Sequence, residues 1–288
     1  MIRIGTRGSA LALAQAGWVA ERIDVDTELV TINAAGSAAD KSRWVSELER
    51  ALLSEQIDIA VHSAKDVPAQ LADGLALVAI PEREDPRDGI CGAGSLAELP
   101  PGAKVGTSSL RRAAQVRAAR ADLDVVTVRG NVDTRLRKLQ EGAVDATLLA
   151  CAGLTRLGLS SRITQPVSVD DMLPAVAQGA IGVEIRADDD RTAHLLAPIN
   201  HAQTALAVAV ERAFLAKLDG SCKTPIAGLA QLVAPDRLLF CGQILAPDGR
   251  RAHATRREGR PETAIAMAED AAAELIALAG PDFFRASF

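Results

Sequence analysis

Along the first two thirds of the chain, short runs rich in Val and Ile alternate with stretches whose apolar residues return every three or four positions. The short runs have strand length and β-branched content, and predict strands at residues 2–4, 57–61, 75–80, 125–128, 144–151 and 181–185. The longer periodic stretches predict amphipathic helices at 10–23, 44–54, 110–120 and 134–140. Strands alternating with helices form βαβ units, so the expected fold class is α/β with mainly parallel sheets. Pro81-Glu-Arg-Glu-Asp-Pro86 is charged, bounded by proline and free of periodicity, which marks a crossing between domains. A second break falls near Pro174. The last part changes character: a helix from about 202 to 218, strands at 226–233 and 238–245, and an Ala-rich helix at 262–278 predict a small α+β unit.

The length of 288 residues exceeds what one core usually supports and agrees with two or three domains. No apolar run reaches the ~18 residues a membrane helix needs, and no secretory signal is visible, so a cytoplasmic protein without membrane contact is expected. A net charge of -5 and 2% aromatic residues argue against a nucleic-acid partner, which would call for a basic surface and stacking rings. Cys91, Cys151, Cys222 and Cys241 are scattered and contain no C-x-x-C pair, so neither a zinc site nor a disulfide framework is expected, and no metal. Cys91, Cys151 and Cys241 read as small buried hydrophobes. Cys222 stands apart, in the loop-like Leu218-Asp-Gly-Ser-Cys-Lys-Thr-Pro225, where a neighbouring lysine favours the thiolate; a plain loop thiol and a functional nucleophile fit it equally.

Three strand-to-helix junctions share a composition: Gly5-Thr-Arg-Gly-Ser9, Gly106-Thr-Ser-Ser-Leu-Arg-Arg112 and Arg129-Gly-Asn-Val-Asp-Thr-Arg135. Each joins glycine and hydroxyl residues to guanidinium groups where free backbone N–H groups face outward, the makings of an anion-binding corner. Taken singly, a Ser before a helix is more often a plain N-cap and a lone Arg more often solvated. Together they carry more weight. Arg7, Arg111 and Arg112 sit in first helical turns, where the helix dipole prefers acids, and an anionic ligand would offset that cost. The inferred ligand carries several carboxylates or phosphates. A fourth junction, Val61-His-Ser-Ala-Lys-Asp-Val-Pro68, offers Asp66 as an acid or a stabiliser of positive charge, although its residues alone favour a turn aspartate. His62 reads as a packed, hydrogen-bonded core histidine.

In chain order these segments closely resemble the porphobilinogen deaminase (hydroxymethylbilane synthase) family. The matching stretches are Ile4-Gly-Thr-Arg-Gly-Ser-Ala-Leu-Ala, the Val61 to Pro68 segment, Glu84-Asp-Pro-Arg-Asp88, Val105-Gly-Thr-Ser-Ser-Leu-Arg-Arg, Leu123 to Arg135, Ala152-Gly-Leu-Thr-Arg-Leu-Gly-Leu, Leu173-Pro-Ala-Val-Ala-Gln-Gly-Ala and Gly220-Ser-Cys-Lys-Thr-Pro-Ile. The resemblance covers essentially the whole chain. It implies two domains like type II periplasmic binding proteins plus a small C-terminal domain, divided as 1–82 with 178–198, 87–174 and 202–288. It implies a transferase of tetrapyrrole (haem, porphyrin) biosynthesis, acting as a monomer, that joins four porphobilinogen molecules head to tail into hydroxymethylbilane and releases four ammonia. The implied cofactor is a dipyrromethane on Cys222. Asp66 is implied as the catalytic acid that also holds the pyrrole N–H groups. Lys65, Ser109, Arg111, Arg112 and Arg135 are implied to hold cofactor carboxylates, and Arg7, Ser9, Gln15, Arg129 and Arg156 to bind the incoming ring. A loop ending at Lys41 and Trp44 is implied as a lid, with Trp44 where the family often has Phe. A cytosolic module that binds a polycarboxylate without turnover is the alternative, and it needs neither the thiol nor the acid.

Overall fold

The computed structural model describes residues 1–33, 41–218, 224–280 and 283, with residues 41–43 described by their backbone. In chain order the elements are β1 (Ile2–Thr6), α1 (Ala10–Ala20), β2 (Thr27–Thr31), α2 (Lys41–Leu53), β3 (Ile59–Ser63), β4 (Leu75–Ala79), β5 (Asp88–Cys91), β6 (Lys104–Gly106), α3 (Leu110–Ala119), β7 (Asp124–Val126), α4 (Val132–Gln140), β8 (Ala146–Ala150), α5 (Cys151–Arg156), β9 (Gln165–Pro166), β10 (Ile181–Arg186) and α6 (Asp190–Leu196). The last part adds α7 (Ala202–Lys217), β11 (Ile226–Ala234), β12 (Arg237–Leu245), β13 (Ala252–Gly259) and α8 (Ala264–Ala279).

Two five-stranded sheets carry the α/β part, ordered β2-β1-β3-β10-β4 and β7-β6-β8-β5-β9. In each, four of the five strands run the same way, but the fifth makes two of the four neighbouring pairs antiparallel, so the sheets are more mixed than the pattern predicts. The antiparallel strand is β10 in the first sheet and β5 in the second. Both follow a crossing: the chain leaves β4 through Pro81–Pro86 to enter β5, and returns through the Pro174 region to enter β10. A strand arriving from the other domain enters its sheet from the opposite end, which reverses its direction. The chain thus passes between the two sheets twice, at the breaks that Pro81–Pro86 and Pro174 mark.

Helix α1 shows how the local sequence builds this frame. Its buried residues Ala12, Gln15, Ala16 and Val19 follow i, i+3, i+4 and i+7, so one stripe packs on the first sheet. That stripe holds a glutamine. The first core contains Ile4, Val19, Ile59, Val61 and Val183; the second contains Ile90, Val105, Val116 and Leu148. The C-terminal unit is an antiparallel β11-β12-β13 sheet whose Phe240 meets Phe214 of α7 edge-on, with 5.0 Å between ring centroids. Small residues Ala264, Ala268, Ala271 and Ala272 let α8 lie close against this core.

The crossings touch. Glu84 N donates to Gly179 O at 3.3 Å, and Arg83 pairs with fully buried Glu211 of α7, Nη1 to Oε1 at 2.5 Å. The Glu211 carboxylate also accepts from Ala177 N at 2.6 Å and Ala230 N at 2.8 Å, so it joins both crossings to the C-terminal sheet. Ala177 is held at φ 58°, an unusual conformation for alanine. Gly179 has φ +92°, and a Cβ there would lie 2.4 Å from Glu84 O. Gly179→Ala is therefore expected to cost about 2 kcal/mol or more, read as a lower urea midpoint. An unchanged midpoint would mean that the crossings are not locked together.

Two readings of the cysteines need correction. Cys151 opens α5 instead of lying in a strand, and Cys241 is half-buried in β12. Cys91 and Cys151 are buried, and burial pushes their thiols up to about 11 and about 12, so both are inert at neutral pH.

Candidate active site

The ends of β3 and β8, with the turns after β1, β3, β6 and β7, open on one cavity of about 330 Å³. Arg7, Ser9 and Gln15 line it from the first corner, Lys65 and Asp66 from the turn after β3, and Ser109, Arg111, Arg112 and Arg135 from the second α/β unit. Trp44 also faces it. Arg129 is exposed and is not among the lining residues. Arg156 is half-buried outside that lining and donates from Nη2 to Gly179 O at 2.7 Å, so it braces the second crossing. Lys41 is described by backbone only, and Cys222 lies outside the described residues.

The corners combine capping with spare donors. Ser9 Oγ accepts from Ala12 N at 3.3 Å and Ser109 Oγ from Arg112 N at 3.4 Å, so both are N-caps. Each hydroxyl keeps its own hydrogen to donate to an anion, so the two roles coexist. Gln15 Oε1 accepts from Ser63 Oγ at 3.1 Å and ties α1 to the end of β3. The guanidinium of Arg7 lies over Trp44 with its carbon 5.0 Å from the ring centroid, and its buried Nε has no partner. Arg135 spans the second and third corners, donating to Gly130 O at 2.9 Å and Ser108 Oγ at 2.8 Å. Burial, reinforced by Arg112, lowers Arg135 to about 10 against the pull of Asp66, so it stays charged at neutral pH.

The counter-charge for Arg111 and Arg112 comes from within the chain. Asp88, the first residue of β5, is fully buried; its Oδ1 accepts from Arg112 Nε at 3.0 Å and Nη2 at 2.6 Å. Its Oδ2 lies 2.7 Å from Arg111 Nη2, close enough for an ion pair although too bent for a hydrogen bond. Burial alone would raise the Asp88 carboxyl. Arg111 and Arg112, with hydrogen bonds from Arg112 and Gln178, outweigh it and hold the carboxyl well below the usual range. The acid that these first-turn arginines require is thus Asp88, where the sequence pointed to a ligand. Arg112 also donates to Leu148 O at 2.9 Å, which leaves it little to offer. Arg111 donates to Leu173 O at 2.8 Å and keeps a buried, unpartnered Nε.

Asp66 ends the one-turn 3-10 helix Ala64–Asp66, closed by Val67 N donating to Ala64 O at 3.2 Å. It is half-buried, with cationic side chains from both sheets lining the same cavity. His62 is the packed histidine expected: its ring Nε2 lies 2.9 Å from fully buried Glu184 Oε2. Asp88 and Gln178 fall within the matching stretches, but neither they nor Glu184 and Glu211 have a role assigned from the sequence. For Glu184 and Glu211 a signal existed, since each is an acid set among apolar neighbours in Ile181–Arg186 and Ala202–Lys217. Among the described residues no cluster suited to a metal ion occurs, and no helix is long and apolar enough to cross a membrane.

Two family models match the chain: porphobilinogen deaminase, dipyrromethane cofactor binding domain, over residues 2–194, and porphobilinogen deaminase, C-terminal domain, over 205–277. The porphobilinogen deaminase of Paracoccus denitrificans is 51% identical over 301 aligned positions, covering 98% of this chain and 96% of that protein. The porphobilinogen deaminase of Nitrobacter hamburgensis is 48% identical, covering 98% and 94%. Among solved structures, a periplasmic substrate-binding protein of an ABC transporter from Coxiella burnetii aligns with 74% of this chain and 97% of that one, at 16% identity and a TM-score of 0.43. With both family models matched in order and half of all positions shared with full-length relatives, the chain belongs to the porphobilinogen deaminase family.

Proposed function

We propose that this chain condenses four porphobilinogen molecules into hydroxymethylbilane, with one ammonia released per ring, using Asp66 as its acid and a dipyrromethane held on Cys222. The observation that carries the reading is Asp66 in a single cavity among Arg7, Lys65, Arg111 and Arg135. The donor set fits the cofactor. A dipyrromethane bears acetate and propionate groups, and the cavity offers buried unpartnered Nε atoms on Arg7 and Arg111 beside serine hydroxyls with hydrogens to give. When bound, the cofactor supplies the nucleophilic pyrrole carbon to which the first ring is joined.

The residues divide the remaining work. Lys65, Ser109, Arg111, Arg112 and Arg135 serve cofactor carboxylates, Arg112 chiefly by holding Asp88 and its neighbours in place. Arg7, Ser9 and Gln15 serve the incoming ring, with Arg129 and Arg156 at its margin and Lys41 and Trp44 as covering residues. Asp66 gives a proton to the aminomethyl nitrogen as it leaves as ammonia. Its carboxylate then faces the cation left on the ring, and it regains a proton from the pyrrole carbon that forms the new bond. The acid is restored after each condensation. The same reading places the domain divisions at 82/87, 174/178 and 198/202, and the protein in the cytoplasm as a monomer.

Incubating the purified protein with porphobilinogen and counting ammonia against substrate consumed tests this reading; one ammonia per ring is expected. Binding without ammonia release would favour the alternative of a polycarboxylate-binding module, which the relatives' names do not support.

A further inference from the structure

Gln178 lies in the second crossing with no exposed surface, and its amide bonds on both sides. Oε1 accepts from Lys65 Nζ at 3.1 Å and, at the limit of range, from Arg112 Nη2 at 3.5 Å. Nε2 donates to Pro86 O and to Asp88 Oδ1, both at 2.8 Å. Its backbone carbonyl accepts from Arg83 Nε at 2.7 Å. One planar group thus touches the turn that carries Asp66, the end of the first crossing, the first residue of β5 and the first turn of α3.

We propose that Gln178 is a positioning residue that couples the two crossings and sets the separation of Lys65 in one domain from Arg112 in the other. The chemistry of the position favours an amide. Two cations require an acceptor on one side; a carbonyl and a carboxylate require donors on the other; glutamine supplies both at a single end. A glutamate would set a second carboxylate against Asp88, and an apolar side chain would leave Pro86 O without its donor. Gln178 borders the cavity yet exposes no surface, so neither loss has bulk water to replace it. A carboxylate that draws Lys65 into the cavity pulls on Oε1, and the same amide passes that displacement to Pro86 and Asp88. The coupling rests on this network and holds whatever ligand fills the cleft.

The test uses the full-length, cofactor-loaded protein with Gln178→Met, which keeps the volume, and Gln178→Glu, which keeps the acceptor. Amide hydrogen exchange over residues 81–88 and 174–180 should rise together by about tenfold or more in each, while the C-terminal sheet stays protected. Turnover should fall about tenfold or more with KM changed less than about threefold, since a misplaced cleft still binds but aligns poorly. A rise confined to 174–180, or no rise, would overturn the coupling. So would a KM that climbs as far as kcat falls, which would make Gln178 a ligand contact. If Gln178→Met does not fold, Gln178→Glu decides by the same readings.

Discussion

Asp66→Asn is expected to reduce ammonia release from porphobilinogen about 10²- to 10⁴-fold, the usual worth of a positioned general acid. The fold should survive. The amide has the shape of the carboxyl, and the backbone bond closing the turn, Val67 N to Ala64 O, does not involve the side chain. What disappears is an acidic proton and the negative charge that faces a developing cation. The effect should fall on kcat, with the urea midpoint within error of the parent. Asp66→Glu should retain part of the activity, since the acid remains and only its reach changes. Near-normal ammonia release by Asp66→Asn would remove this residue from the chemistry.

Asp88→Asn carries the largest expected effect on stability. Asp88 is fully buried with Arg111 on one oxygen and Arg112 on the other. The substitution leaves two buried guanidinium groups without their counter-charge, a loss of about 3–5 kcal/mol. The acid dependence supplies an independent check. The folded carboxyl is held below its unfolded value, so its contribution is complete above about pH 4 and fades as pH falls through the folded value. The parent should therefore lose stability on acidification below about pH 4, and Asp88→Asn should lose less over that interval because the group is already gone. Cofactor loading should drop as well, since Arg111 and Arg112 no longer hold one orientation. A variant with parental stability and an unchanged acid profile would mean that solvent, not Asp88, balances these arginines.

The two effects also mark where local sequence stops being informative. Elements whose packing face repeats at a fixed period were legible: helix 10–23 was expected and α1 is Ala10–Ala20, and strand 181–185 was expected and β10 is Ile181–Arg186. β5 was missed. Its four residues, Asp88–Cys91, begin with Asp-Gly and follow a proline-bounded charged run, so they read as turn, yet all four are buried between β8 and β9. β13 was missed for the opposite reason: Ala252–Gly259 alternates between exposed and half-buried positions at a sheet edge, so no apolar face announces it. Helix α6, Asp190–Leu196, is short and opens among acids. In the site, the cationic corners were visible because glycine, hydroxyl and arginine residues cluster within a few positions. Their partners were not, because Asp88 precedes Arg112 by 24 positions and Gln178 follows it by 66. The second sheet brings Asp88 to Arg112, and the second crossing brings Gln178 to both.

In the proposed mechanism the cleft works on a chain tethered through Cys222. The most direct test of that mechanism is the intact mass of the freshly purified protein under native conditions, before and after mixing with limiting porphobilinogen. The expected mass is above that of the bare chain, an excess absent from Cys222→Ser and retained in Cys91→Ser, Cys151→Ser and Cys241→Ser. On mixing, a ladder of heavier species is expected, each one ring larger than the last, because a tethered intermediate meets every new ring within the same complex. Active protein at the bare-chain mass, or free short pyrrole chains in solution while the protein mass never changes, would contradict the mechanism.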